Sequence, residues 1–170
     1  MAAPPSVAAS MAGAASSTVV GGIEAHEQAK ARIRQVYQRF AVAWSNGDAA
    51  GVGSLLAQEC DHQALSHDRH VKRGRTELLD RWTQAFARRG AVFSVQMSPT
   101  LHSIRLLGRD LALVDGDLNY SAGIGAAGTT RRRCSQPFTA VMTQSDEEWL
   151  IVSIRVGAAI PMGQNINSAA

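Results

Sequence analysis

The sequence predicts an α+β fold, with helices from the first half packed against one antiparallel sheet from the second. Three observations predict it. Ile33, Val36, Tyr37, Phe40, Ala41 and Trp44 recur at helical spacing, while Arg32, Arg34, Gln35, Gln38 and Arg39 occupy the other side. Beyond Gly90 the apolar period changes to two, the period of a strand. Turn residues then divide the remainder into four strands.

Taken in order, residues 1–22 (MAAPPSVAASMAGAASSTVVGG) carry no charged side chain and few large apolar ones. They lack the basic start and sustained apolar centre of a secretory signal. They cannot bury enough surface to offset their ordering entropy, so a disordered extension is expected. The domain is then expected over 23–160, with a flexible tail over 161–170. The first helix ends at Asn46-Gly47, and Asp48 can cap a second helix, AAGVGSLLA. Gly51 and Gly53 weaken that helix, which Val52, Leu55 and Leu56 must hold by packing.

RTELLDRWTQAFARRG reads as a third helix with Leu78, Leu79, Trp82, Ala85 and Phe86 as its apolar stripe. Glu77 can pair with Arg81, and Gly90 can stop the helix. In FSVQM, Phe93, Val95 and Met97 share a face; in TLHSIRLL, His102, Ile104 and Leu106 do. The phase shift between them predicts a bulge or bend at Ser98-Pro99. Gly108-Arg109-Asp110 turns the chain into LALVDGDLNY, and SAGIGAAGTTRRR reads as a loop before CSQPFTAVMT. A hairpin turn at Gln144 to Glu148 leads into WLIVSIRV.

Composition narrows the function. The 170 residues suit one domain with a real core. A net charge of +3 is too weak to imply nucleic acid, and fifteen of the seventeen basic residues are Arg, which reads as coding bias. No apolar run approaches the length of about 18 residues that a membrane helix needs. Cys60 and Cys134 fit no CxxC pattern, so reduced thiols in a cytoplasm are expected.

The segments QVYQRFAVAWSNGD, RGRTELLDRW, GRDLALVDGDL and DEEWLIVSIRVG, in this order and spacing, resemble the SnoaL-like, ketosteroid-isomerase-like branch of the nuclear-transport-factor-two-like superfamily. The similarity runs over roughly residues 24–160, and the SgcJ/EcaC type is the nearest subgroup. The resemblance implies a cone: three N-terminal helices packed in a curved antiparallel sheet around an apolar pocket, usually as a homodimer. It also supplies a test of chemistry. Where steroid isomerases place an oxyanion tyrosine this chain has Phe40, at the base it has Ala64, and near the second donor it has Thr139. Steroid isomerisation by that mechanism, a worked case of pKa tuning, is therefore not expected.

Strand parity, combined with the family's concave face, selects the expected wall. His102, Arg155, Tyr120 and Thr139 stand on the sheet side, with Val114, Gly116, Leu118, Val141, Trp149, Ile151 and Ser153; Tyr37, Phe40, Trp44, Trp82 and Phe86 stand on the helical side. Asp115 and Asp117 point outward, where Arg105 can neutralise one of them. Leu150, Val152, Ile154 and Val156 form an apolar convex face, a candidate dimer interface. His102 can act as acid or base, and Arg155 can hold an anion; the alternatives are a hydrogen-bonded structural histidine and an arginine paired to an acid.

One stretch, ECDHQALSHDRHVKRG over 59–74, gathers three of the five histidines. His62, His67 and His70 match no standard zinc spacing, so no metal is expected. In a hairpin with HDRH as its turn, His62 shares the parity of Ala64 and points inward as a second acid/base candidate, while Asp61 faces away. Cys60 reads as a small buried residue and Arg131-Arg132-Arg133 as a solvated loop.

The expected function is therefore binding of a small, largely apolar, polycyclic or smaller molecule. Cofactor-free isomerase, cyclase or dehydratase chemistry would run through His102 or His62, with Arg155 or Tyr120 meeting developing charge. The expected partner is a second copy of the chain, with no nucleic acid and no membrane. The alternative is a non-catalytic dimeric binding or assembly module.

Overall fold

The computed structural model describes residues 11–65, 68–88, 93–124 and 130–162. Helices α1 (Met11–Asn46), α2 (Ala49–Gly53) and α3 (Arg75–Ala87) accompany strands β1 (Leu56–Ala64), β2 (Asp68–Arg73), β3 (Phe93–Leu106), β4 (Leu111–Ile124), β5 (Thr130–Ser145), β6 (Glu148–Val156) and β7 (Ile160–Pro161). One curved sheet runs β2-β1-β6-β5-β4-β3, with β7 added to β5. The order follows from hairpins: β3, β4, β5 and β6 each pair antiparallel with the next. The expectation of a wholly antiparallel sheet needs one correction. β1 lies parallel to β6, because the chain returns through α3 and three hairpins before the sheet closes on its first strand.

The core fills the space between α1 and the sheet. Ile33, Val36, Tyr37 and Phe40 are buried at helical spacing, and face Val114, Leu118, Phe138, Met142 and Ile151 from the strands. The helix stops where Gly47 takes a φ of +69°, a region that favours glycine. Asp48 then caps α2 by accepting from the Gly51 N–H at 2.8 Å. Ser45, in the last turn of α1, accepts from the Met97 N–H at 2.9 Å and ties the helix to β3.

Three boundaries differ from the sequence reading. The chain is helical from Met11, so residues 11–22 are not the disordered extension expected; residues 1–10 and the tail over 163–170 lie outside the described residues. A run rich in alanine can extend a helix already anchored by Ile33 and Phe40, since alanine is the best helix former. The second helix is only five residues, since Leu56 leaves it to pair with Ile151 as the start of β1. The expected arginine loop is mostly strand: β4 continues to Ile124 and β5 starts at Thr130, pairing Arg132 with Ala122 and Arg133 with Ser121. The His67 position, the His70 side chain and the Gly90 stop lie outside the described residues.

Two bulges decide which side chains face the core. In β3, Leu101 pairs with Gly116 and Ser103 with Asp115, leaving His102 as the extra residue. In β6, Ile151 pairs with Met142 and Ser153 with Val141, leaving Val152 extra. Each inserted residue exchanges the faces of everything beyond it.

Candidate functional site

A cavity of about 240 Å³ opens between the C-terminal half of α1, α3 and the inner face of the sheet. Phe40 and Trp44 come from α1, Arg81, Trp82 and Ala85 from α3, and Leu56, His62 and Ala64 from β1. Leu118, Tyr120, Gln136, Ile151, Ile154 and Val156 complete the wall. Helical spacing explains the first two groups, and alternation explains His62 with Ala64 and Leu118 with Tyr120.

The aromatic side is tightly built. The Trp44 ring lies 5.7 Å from Trp82, 5.1 Å from Phe86 and 6.4 Å from Tyr120, each at a steep angle. The Phe40 ring stacks on it at 5.9 Å. His62 stands edge-on to Trp82, 6.2 Å between centroids. Burial, first, and then the positive charges of Arg81 and Arg155 bring the His62 pKa down from 6.5 to about 4, with Asp61 opposing. The imidazole is therefore neutral at neutral pH. No hydrogen bond reaches its ring among the described residues. Arg81 lines the cavity while remaining exposed, which places it at the boundary with solvent.

The remaining expected site residues divide. Tyr120, Phe40, Trp44, Trp82, Leu118 and Ile151 line the cavity; Phe86 stands behind them, edge-on to Trp44. Tyr37, Val114 and Gly116 belong to the solid core instead. Tyr37 packs on Phe138 at 5.2 Å, and burial, then Asp115, raises the pKa of its hydroxyl. Trp149 is buried too and borders a different groove, beside Arg32 and Arg109.

Five residues expected inside stand on the outer face. His102 is exposed and its Nε2 lies 2.7 Å from Asp117 Oδ2, because the bulge falls on His102 and not at Pro99, which pairs in register with Leu118. Ser153 and Arg155 both bind Asp61, Ser153 Oγ donating at 2.6 Å, because the Val152 bulge turns the end of β6 over. Thr139 donates to Asp115 at 2.8 Å, and Val141 pairs beside Leu113 on that same side. Conversely Ile154 and Val156, expected on the convex face, line the cavity. The convex face is consequently not the apolar surface expected; across it run Arg105, Asp115 and Thr139, then Arg155 and Asp61.

Arg81 and Gln136 were missed. The sequence pairs Arg81 with Glu77, but Glu77 turns back to accept from the Arg73 N–H at 3.2 Å. Its position one turn before Ala85, beside Trp82, was the available signal. Gln136 shares the parity of the buried Phe138, which only the pairing to β4 fixes. Cys60 is buried, and burial raises its thiol pKa.

Phe40 and Ala64, the places that resemblance gave to the steroid-isomerase donor and base, both lie on this wall. Solved structures share the architecture. A conserved protein from Planctomyces limnophilus is 18% identical, with a TM-score of 0.64 over 80% of this chain and 99% of its own. A hexachlorocyclohexane dehydrochlorinase (LinA) type 2 is 13% identical, TM-score 0.64, over 86% and 96%. A ketosteroid isomerase-like protein from Erwinia carotovora atroseptica is 12% identical, TM-score 0.60, over 79% and 96%. At these identities the likeness is one of fold. No curated protein matches significantly. The SnoaL-like domain, however, matches residues 33–161, most of the chain and every element from Ile33 of α1 to β7, and the chain belongs to that family.

Proposed function

We propose that the protein binds a small, largely apolar molecule in this cavity and performs cofactor-free acid–base chemistry on it, of the isomerase, cyclase or dehydratase kind. One observation carries the reading: a half-buried, neutral imidazole, His62, faces an aromatic cavity with no hydrogen bond to its ring among the described residues. Neutral imidazole is the form that accepts a proton. A proton leaving a substrate carbon would pass to His62, and the charge left behind would meet Arg81, the Tyr120 hydroxyl or the Gln136 amide. His102 and Arg155, on the outer face, have no part in this.

Size refines the ligand. A cavity of about 150 Å³ holds benzene, so about 240 Å³ suits one or two rings better than the four of a steroid. With Phe40 and Ala64 at the places of the steroid-isomerase donor and base, that standard reaction is not proposed. The likeness to a dehydrochlorinase and an isomerase-like protein is compatible with such chemistry.

A second reading, binding without catalysis, is favoured because no Asp or Glu among the described residues lines the cavity to orient His62. We further propose a homodimer through the outer face, where Leu113, Val141, Leu150 and Val152 are only half-buried beside the polar row. The two free cysteines fit a reducing cytoplasm. Among the described residues no helix is long and apolar enough to cross a membrane.

Native mass spectrometry of the full chain tests both proposals. A dimer that releases extra mass on denaturation supports them and identifies a compound to assay; His62→Gln should then abolish turnover and keep binding. A ligand-bearing protein whose turnover survives His62→Gln sinks the catalytic assignment. A clean monomer counts against the outer face as an interface.

A further inference from the structure

We propose that the cavity selects an anion: a conjugated carboxylate whose ring lies against Phe40, Trp44 and Trp82 and whose carboxylate meets Arg81 and His62, with His62 taking up a proton on binding. The inference rests on the cavity reading above and adds the ligand's charge. Among the described residues, every polar side chain on the wall (Arg81, His62, Tyr120, Gln136) can donate a hydrogen bond, and none is acidic. The groups around His62 are also mostly cationic. Arg81 acts on it through its charge from α3 and Arg155 from the outer face of β6, while Lys72 pairs opposite it on β2. Lys72 has a partner in Glu77 at 3.8 Å. The nearby acid, Asp61, is turned to the outer face and held there by Arg155 and Ser153.

Arg155 and Lys72 are balanced by Asp61 and Glu77, so it is Arg81, at the mouth of the aromatic cavity beside the other donor side chains, that favours negative charge on a ligand. A carboxylate would accept charge-assisted hydrogen bonds from Arg81 and from a protonated His62, which a neutral ligand of the same shape cannot do. Arrival of the anion adds a negative charge that opposes the burial and the positive charges keeping the imidazole neutral. His62 then becomes imidazolium, the proton coming from solvent, and binding strengthens as pH falls from neutral toward about 5. With an anionic ligand His62 therefore serves as the acid, able to return that proton to the ligand, and its role as base belongs to a neutral ligand.

The test is titration calorimetry on the full chain at about pH 6, with cinnamate and its neutral counterpart, cinnamyl alcohol. Each is run in two buffers of different ionisation heat. Cinnamate should bind at least about tenfold more tightly than the alcohol, and Arg81→Gln, an exposed substitution, should erase the difference. The heats should differ between buffers for cinnamate with the wild type and coincide for His62→Gln. Equal affinity for acid and alcohol would overturn the anion inference and leave the cavity reading standing. Buffer-independent heats in the wild type would remove proton uptake. If neither compound binds, both readings fail.

Discussion

His102 Nε2 and Asp117 Oδ2 lie 2.7 Å apart on the outer face of the sheet, on the side away from the cavity. The pair exists because β3 inserts His102 as a bulge between Leu101 and Ser103. Both side chains keep substantial exposure, 56% and 31%, so the contact is worth little, of the order of 0–1 kcal/mol. His102→Ala should therefore shift the urea midpoint only slightly and leave cinnamate affinity within about twofold of wild type. A loss of affinity above about tenfold would mean that His102 reaches the ligand after all.

His62 links stability to pH in the opposite place. Its folded pKa lies near 4 and its unfolded pKa near 6.5, so the folded state holds fewer protons between those values. Stability should accordingly be complete above about pH 7 and fall as pH drops from 6.5 to 4, by up to about 3 kcal/mol for this group. Urea unfolding of wild type and His62→Gln across that window checks it. The variant should lack most of the decline; parallel curves would assign the acid sensitivity elsewhere.

Asp61 offers a contrast of sign. Its carboxylate accepts from Arg155 and Ser153, and the Arg155 hydrogen bond, foremost, holds its pKa below the usual carboxylate range. A depressed carboxylate stabilises the fold above its unfolded pKa and loses that contribution as pH falls through the folded value. Asp61→Asn should cost about 1 kcal/mol at pH 7 and progressively less below about pH 4, where the wild type also protonates. Since the pair ties β1 to β6 on the face opposite the cavity, ligand affinity should survive the substitution. Concurrent loss of affinity would couple the two faces.

Gly116 is placed by contact and not by conformation. A Cβ there would come within 2.4 Å of the Thr100 carbonyl oxygen and 2.9 Å of Phe138 Cε1. A backbone oxygen cannot step aside cheaply, so Gly116→Ala should destabilise by about 1–3 kcal/mol. Thermal unfolding measures it directly, and an unchanged midpoint would show that β3 has room to shift.

The sequence by itself determined the helical core of α1 and α3, the Gly47 stop, the Asp48 cap, and the hairpins β3 to β6. It also separated the two neighbours in β1, His62 inward and Asp61 outward. These are local: burial repeated over several turns, a glycine at positive φ, or alternation along a strand without interruption leaves a mark in neighbouring residues. The aromatic wall of Phe40, Trp44 and Trp82 could be read for that reason. Tertiary structure alone decided the other half of the site. His102, Thr139, Val141, Ser153 and Arg155 went outward, while Ile154, Val156 and Gln136 came inward, because one extra residue in β3, one in β6, and the pairing of β5 with β4 set their faces. A bulge is selected by hydrogen bonds to the neighbouring strand and by the bend the sheet needs to wrap α1. Neither is written in the bulged strand's own residues.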